Sequence, residues 1–380
     1  MSVVSPVQDS RQAAASRWES VAIVHDYLNQ PGGAERVVLE MASIWPDAPL
    51  FTSLYRAEST FPGFQKHDIR TSFLDRLPVD GGFRALLPLY PAAFTSFGVL
   101  DHELVISSSS GWAHGVRTSP DSVHVVYCYA PARWLYTPDR YHSSSLKQRL
   151  VSPVVSPLRR WDVGAARRAD GYIVIAENVR RRVIAAYGID AEVVHPPVDT
   201  DRFQVRPRGE RLLVVARLLP YKRIDLIIQA ANQLGIGLDV VGVGPSLEEL
   251  RAIAGPSVTF HGRLPDDVIT QLFEECLAFC SAGQEDFGLA PIEALAAGKP
   301  VVAFAAGGAL ETLEDGRAAA VFHQATVQDV LSAIRRVQEL DSSPEDLAQE
   351  ARRFSRQAFR TNLEAAIDRL AERRDQVAAA

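Results

Sequence analysis

The stretch Glu285-Asp-Phe-Gly-Leu-Ala-Pro-Ile-Glu293 sets two carboxylates on either side of a glycine turn and a proline, a residue suited to the first turn of a helix. The spacing predicts a helix from about Pro291 to Ala297 that stops at Gly298, the usual residue just past a helix end. Glu285 then lies in the loop before the helix and Glu293 near its first turn. The N–H groups of Asp286, Phe287, Gly288, Leu289 and Ala290 point out of the helix start, where the macrodipole is positive, and an anion is expected there. Two acids touching that anion would repel it. They make sense as acceptors for hydroxyls on its two sides, and a sugar nucleotide has that layout: sugar, diphosphate, ribose. The plainer alternative is an ordinary loop and helix with two solvated glutamates.

Outward from this segment the chain reads as alternating strands and helices. Ser20–His25 is a short apolar strand, followed by a Pro31-Gly32-Gly33 turn and a helix from Ala34 to about Ile44. Further strands are expected at 104–107, 123–127 and 172–176, and in the second half at 211–216, 237–243, 258–260, 277–281 and 301–303. A helix is expected near Arg223–Leu234. Such alternation implies parallel sheets with crossover connections, and ligands of open sheets of this kind bind at the carboxyl ends of the strands. The Pro-rich stretch from His195 to Pro207 marks a linker. The expected division is a disordered tail at 1–19, a first domain at 20–198 and a second at 199–356, with a charged helical tail at about 357–380.

Composition bounds the function. The 380 residues suffice for two domains. With 47% hydrophobic and 23% charged residues the chain is globular. A net charge of −6 argues against a general nucleic-acid binder. No apolar run reaches membrane-span length, and the N-terminal residues lack a signal-peptide core, which fits a cytoplasmic protein. Cys128, Cys276 and Cys280 form no even disulfide framework, as in a reducing compartment, and the last two are expected to pack rather than bind metal.

Other strand-end loops carry candidate chemistry. Arg217 and Lys222 fall in one loop, where two fixed cations would neutralise a diphosphate and the charge that grows as a glycosyl bond breaks; a solvated basic loop is the alternative. Gly32 and Gly33 let a backbone approach a phosphate. Gly242-Val-Gly244 lacks the third glycine of a dinucleotide fingerprint and reads as a tight turn. The run Ser107–Gly115 suits sugar or acceptor recognition through Ser109, with His114 steadying the transferred sugar or moving a proton. Arg133 is a candidate for acceptor contact, and Trp134, Tyr136 and Tyr141 form an aromatic group that stacks on a sugar or packs in the core. No Asp-x-Asp metal motif appears where the phosphates should lie, so no metal is expected.

The Glu285–Glu293 segment resembles the E-x7-E motif of retaining GT-B glycosyltransferases of family 4 (group 1), and Arg217–Lys222 resembles that family's R-x4-K pair. Gly32-Gly33-Ala34-Glu35-Arg36 after His25-Asp-Tyr is close to its N-terminal signature. The run Glu285–Thr312, with Gly307-Gly308-Ala309-Leu310-Glu311-Thr312, resembles the subgroup that uses GDP-mannose. The Tyr127–Tyr136 run departs from that subgroup: Tyr129 stands where it has a His, and no role is transferred to it. The resemblance implies two Rossmann-like α/β domains facing across a cleft, with the C-terminal helix crossing back to the first. It implies that Glu285 touches the transferred sugar, Glu293 holds the ribose hydroxyls, Arg217 and Lys222 bind the diphosphate, and the loop of Arg263 and Leu264 lies under the base. Asp286, Phe287, Gly288 and Leu289 would line the donor.

The expected activity is transfer of a hexose, mannose from GDP-mannose by resemblance, to a glycan, lipid-linked or small-molecule hydroxyl, with net retention and no cofactor. A UDP-sugar donor, a sugar-nucleotide epimerase, a phosphorylase-like enzyme and a non-catalytic relative are the alternatives. Many relatives act at the inner face of the membrane. The basic residues between Arg133 and Arg182 (Lys147, Arg149, Arg159, Arg160, Arg167, Arg168, Arg180, Arg181 and Arg182), with Trp161 among them, would suit peripheral contact with anionic lipid; a solvated face is the alternative.

Overall fold

The computed structural model describes residues 17–77, 86, 88–136 and 145–379, with only the backbone of Trp134 and of 145–154. The first strand, β1 (Val21–His25), is apolar and buried along its whole length, the signature of a strand covered on both faces. It is followed by α1 (Gly33–Ile44), β2 (Leu50–Thr52), β3 (Ile69–Thr71), α2 (Tyr90–Thr95), β4 (Val99–Leu100) and β5 (Leu104–Ser109). Then come β6 (Arg117–Thr118), β7 (Val123–Cys128), α3 (Arg133–Tyr136), α4 (Ser145–Ala166), β8 (Gly171–Val174), α5 (Glu177–Tyr187) and β9 (Ala191–Val193).

The second half repeats the plan. It runs β10 (Arg211–Val215), α6 (Ile224–Leu234), β11 (Gly237–Val241), α7 (Leu247–Ile253), β12 (Val258–Gly262), α8 (Asp266–Glu275) and β13 (Ala278–Ser281). It ends with α9 (Leu289–Ala296), β14 (Val301–Phe304), α10 (Ala309–Thr312), β15 (Ala319–Phe322), α11 (Val327–Gln338), α12 (Pro344–Ala351) and α13 (Arg356–Ala378).

Among the described residues thirteen strands form a seven-stranded sheet of order β3-β2-β1-β5-β7-β8-β9 and a six-stranded sheet of order β12-β11-β10-β13-β14-β15, and β4 and β6 pair apart from these sheets. Every pairing within them is parallel. The order reverses between β1 and β5 in the first sheet and between β10 and β13 in the second. Loops leaving the carboxyl ends at such reversals open a crevice, the default ligand site of this architecture. Gly32-Gly33, the Ser109 loop, Arg217–Lys222 and Glu285–Gly288 all leave those four strands. The architecture is GT-B, as expected.

One apolar core is continuous through both halves: it joins Ile23 and Val125 under the first sheet to Phe359 and Leu363 of α13 and to Phe287, Ile292 and Val301 of the second half. The chain crosses between the halves at Val198 and returns at Ser355. These crossings pair as an isolated parallel bridge, with Val198 N–H donating to the Phe354 carbonyl at 2.8 Å. After the return, α13 lies on the first half. Phe359 meets the edge of Tyr127 with ring centres 5.8 Å apart, and Arg369 donates to Glu192 Oε2 at 2.6 Å.

One expectation about the termini needs correction. Residues 1–16 of the supposed disordered tail lie outside the described residues, but Arg17–Glu19 are packed: Glu19 N–H donates to Glu103 Oε2 at 2.7 Å and Arg17 lies 3.6 Å from Asp368. The C-terminal helix starts at Arg356, where Ser355 caps it by accepting from Ala358 N–H. Cys276 and Cys280 do pack: both are free and buried, and burial pushes the Cys276 thiol up to about 12.

Leu363 is fully buried where α13 meets the first half. Leu363→Ala should lower stability by about 3 kcal/mol, the usual cost of such a cavity, measured by urea unfolding. A loss near zero would mean that the helix does not carry this part of the core.

Candidate functional site

The second half supplies one wall. After β13 the chain turns through Glu285 to Gly288, whose left-handed φ of 89° makes it the N-cap of α9. The helix therefore starts at Leu289, two positions before the expected Pro291, which instead lies in the first turn where a missing N–H costs nothing. The Glu285 loop is pinned from behind by the loop after β14. Gly308 N–H donates to the Glu285 carbonyl at 3.0 Å. Gly307 (φ 64°) and Gly308 allow that approach, since a Cβ would stand 2.0 Å from Glu285 O at the first and 2.2 Å from Phe287 O at the second.

A cavity of about 370 Å³ lies between the halves. Lys222, Glu285, Asp286, Phe287, Gly288 and Leu289 line it from the second half, and Gly33, Ala34, Tyr129 and Arg133 from the first. The Lys222 ammonium donates to Glu285 Oε1. The Asp286 carboxylate takes a hydrogen bond from Arg133, and Arg182 Nη2 stands 2.8 Å from its other oxygen. Behind the cavity Phe287 is buried, stacked on His195 with ring centres 5.3 Å apart.

The other expected residues are placed as follows. Gly32 is the N-cap of α1 beside Gly33. Arg217 is exposed on the loop after β10, and Arg263 is exposed and Leu264 half-buried after β12; none of the three lines the cavity. Glu293 lies on α9 just behind the lining, 2.8 Å from Arg202 Nη2. Burial raises its pKa above the ordinary glutamate range, partly offset by Arg202.

Two assignments are corrected. Ser109 is buried and its hydroxyl accepts from the N–H groups of Gly111 and Trp112 at 3.0 and 3.1 Å, so it is engaged by its own loop rather than offered to an acceptor. His114 is buried, with Nε2 3.1 Å from Asp162 Oδ1 and its ring stacked on Trp161; it belongs to the packing of the first half and does not line the cavity. The same contact turns Trp161 inward, away from the basic face to which the sequence assigned it. Tyr136 is likewise spent on packing, its hydroxyl donating to Asp162 at 2.8 Å. Tyr141 lies outside the described residues, as do the side chains of Trp134, Lys147 and Arg149.

Sequence reasoning missed four supporting groups. Asp26 is buried and accepts from the N–H groups of Ser110, Trp112 and Ala113 at 2.5, 3.1 and 2.7 Å, which pulls the Ser-rich loop inward. Glu311 accepts from the N–H groups of Glu177 and Asn178 at 2.6 and 2.9 Å, capping α5 from the opposite half. Arg182 and Arg202 pair with Asp286 and Glu293. Asp26 follows the first strand directly, which was a usable signal; the other three pairings are long-range and leave no local pattern.

Gly307→Ala tests the pinning of the Glu285 loop. A Cβ at a left-handed position and against a carbonyl should distort the loop and weaken nucleotide binding about tenfold or more in titration calorimetry, while circular dichroism stays native. Unchanged affinity would show that the loop does not form the binding wall.

Comparison with known proteins supports the architecture and adds kinship. Residues 31–202 match the model for Glycosyltransferase Family 4 and residues 198–354 the model for Glycosyl transferases group 1. The GDP-mannose-dependent alpha-(1-6)-phosphatidylinositol monomannoside mannosyltransferase of Mycobacterium tuberculosis is 33% identical over 226 residues, 51% of this chain and 58% of that protein. The D-inositol 3-phosphate glycosyltransferase of Mycobacterium bovis is 34% identical over 176 residues, 39% of this chain and 36% of that protein. The matched stretch thus spans less than two thirds of either relative. Among solved structures, HepE of Anabaena in complex with UDP and glucose superposes with a TM-score of 0.70 at 19% identity, over 92% of this chain and 99% of that one. WaaG, a glycosyltransferase involved in lipopolysaccharide biosynthesis, gives 0.64 at 16% identity, over 91% and 99%. The two family models meet at the linker and together run from residue 31 to 354: the chain belongs to the group 1 glycosyltransferases of family 4.

Proposed function

We propose that this protein is a retaining glycosyltransferase that moves mannose from GDP-mannose to a hydroxyl of a glycan, lipid-linked or small-molecule acceptor. The observation that carries the reading is the cavity at the two sheet reversals, where Lys222, Glu285 and the start of α9 face Gly33 and Arg133. The donor's diphosphate lies against the N-terminus of α9, with Lys222 and Arg217 as its cations. Glu285 orients the sugar and Glu293 accepts from the ribose hydroxyls. As the glycosyl bond breaks, charge grows on the leaving phosphate, and fixed cations stabilise it without reorganising. These cations do the work a divalent metal does elsewhere, so the reaction runs without one. The acceptor hydroxyl arrives from the first-half side, past Arg133. Mannose as the sugar is supported by the mycobacterial relative's name. A UDP-sugar donor is the second reading, favoured by the UDP complex of a structural neighbour.

Thermal shift with GDP, UDP, ADP and their sugars in EDTA separates these. A ligand bound only by the native state raises the melting temperature by mass action. GDP and GDP-mannose should do so, Glu293→Ala should abolish the shift, and wild-type turnover should survive the chelator. A shift confined to UDP-sugars would replace the donor, and a requirement for added metal would overturn the metal-free mechanism.

We also infer peripheral contact with anionic lipid through a narrower face than the sequence suggested. Among the described residues no helix is long and apolar enough to cross a membrane. Arg168, Arg180 and Arg181 pair within the protein, with Gly164, Asp190 and Glu177, which leaves the exposed Arg160 and Arg167 as its core. Liposomes containing phosphatidylglycerol should co-sediment the protein at low salt and release it at high salt. Equal recovery with neutral liposomes would sink this contact.

A further inference from the structure

The linker carries a residue that the donor chemistry above does not use. Just after the crossing at Val198, a 3₁₀ turn over Thr200–Arg202 brings Arg202 against α9. Its guanidinium lies over the ring of the buried Phe203, 4.5 Å from the centroid, which fixes its plane. From there Nη2 donates to Glu293 Oε1 at 2.8 Å, with both side chains less than a fifth exposed (18% and 17%). Its Nε–H has no acceptor among the described residues. Glu293 thus has one oxygen engaged by a held cation and Oε2 left for hydroxyl donors.

We propose that Arg202 is a positioning residue for the donor: it aims Glu293 and keeps it ionised, so that the carboxylate accepts from the vicinal hydroxyls of the nucleotide's ribose. This deepens the proposed function and rests on it. An ionised carboxylate accepts hydroxyl hydrogen bonds strongly on both oxygens, whereas protonation turns one oxygen into a donor and weakens the other as an acceptor. Burial works against ionisation at this position, as the raised pKa shows. The charges facing it come from three elements: Arg202 and Asp199 on the linker, Arg36 on α1 and Asp266 on α8. Arg36 and Asp266 are themselves paired at 2.7 Å, and Asp199 opposes ionisation. Arg202 is therefore the dominant favourable charge. Its place in the turn just after Val198 also sets it beside the paired crossings between the halves.

The sign follows. A raised carboxylate pKa means that donor affinity falls as pH drops through it. Removing the cation moves the fall to higher pH. The test is titration calorimetry of GDP, and of UDP in parallel, against wild type, Arg202→Met and Arg202→Lys from mildly acidic to neutral pH. The expected result is affinity lowered about tenfold in Arg202→Met near neutrality, with the acidic fall displaced upward, and partial rescue of both by Arg202→Lys. In a Glu293→Gln background, which has no carboxylate to ionise, Arg202→Met should add little further loss and no pH shift; this arm also decides the matter if Arg202→Met alone folds poorly. A pH-independent loss that Lys does not rescue, or a full loss in the Glu293→Gln background, would mean that Arg202 only supports the linker. Wild type that binds a nucleotide while Arg202→Met matches it at every pH overturns the inference alone. Wild type that binds neither nucleotide removes the proposed function, and the inference with it.

Discussion

The Asp286 carboxylate, gripped by Arg133 and Arg182 from the opposite half, is the contact on which the cavity depends. Asp286 lies between Glu285 and the start of α9, so holding it fixes both the acid and the helix terminus that an anion would meet. Asn178 reinforces the grip by donating to the Asp286 carbonyl at 2.5 Å, and Glu311 caps α5 beside it. None of these bonds exists within one half alone. Partly exposed ion pairs contribute about 0–1 kcal/mol each, so the grip sets geometry more than stability. That suits a cleft that must admit a nucleotide and an acceptor. The structure supplies a natural pivot, the paired crossings at Val198 and Ser355.

The fold was largely legible because its central strands are continuous apolar runs. β1, β10 and β13 lie close to their expected limits, and the sheet reversals beside them follow from parallel topology. The unread strands are short. Leu50–Thr52 and Ala191–Val193 have three residues each, and Ala319–Phe322, which follows the Asp315-Gly316 turn, has four. Such segments become strands because a neighbour pairs with them, not because of their own periodicity.

The site was legible where chemistry sits directly after a strand, as with Lys222 and Glu285. It was misread where a distant residue decides which way a loop faces. Ser109 and His114 have the composition of a sugar-binding loop, but Asp26 collects that loop's amides from 84 to 87 residues away in sequence. Capture by a buried carboxylate turns the hydroxyl and imidazole inward. The Arg133–Asp286 pair is separated by 153 residues and the Arg202–Glu293 pair by 91, distances over which one sequence carries no pairing signal.

Each acid of the Glu285–Glu293 motif has a cation of its own: Lys222 on the first and Arg202 on the second. The two pairs are not equivalent. Lys222 lines the cavity and has a flexible stem with a compact charge that reorients easily. Arg202 is stacked on Phe203 behind the lining and has little freedom. In the proposed reaction a sugar hydroxyl takes the place of Lys222 on Glu285, and the freed ammonium turns to the diphosphate. The attraction lost by breaking one pair is offset by forming the other, and Glu285, partly exposed, keeps the sugar hydroxyl as its donor. Arg202 makes no such exchange. It stays on Glu293 while hydroxyls add to the remaining oxygen, so that one acid gives up its cation to the donor and the other keeps its cation in order to hold it.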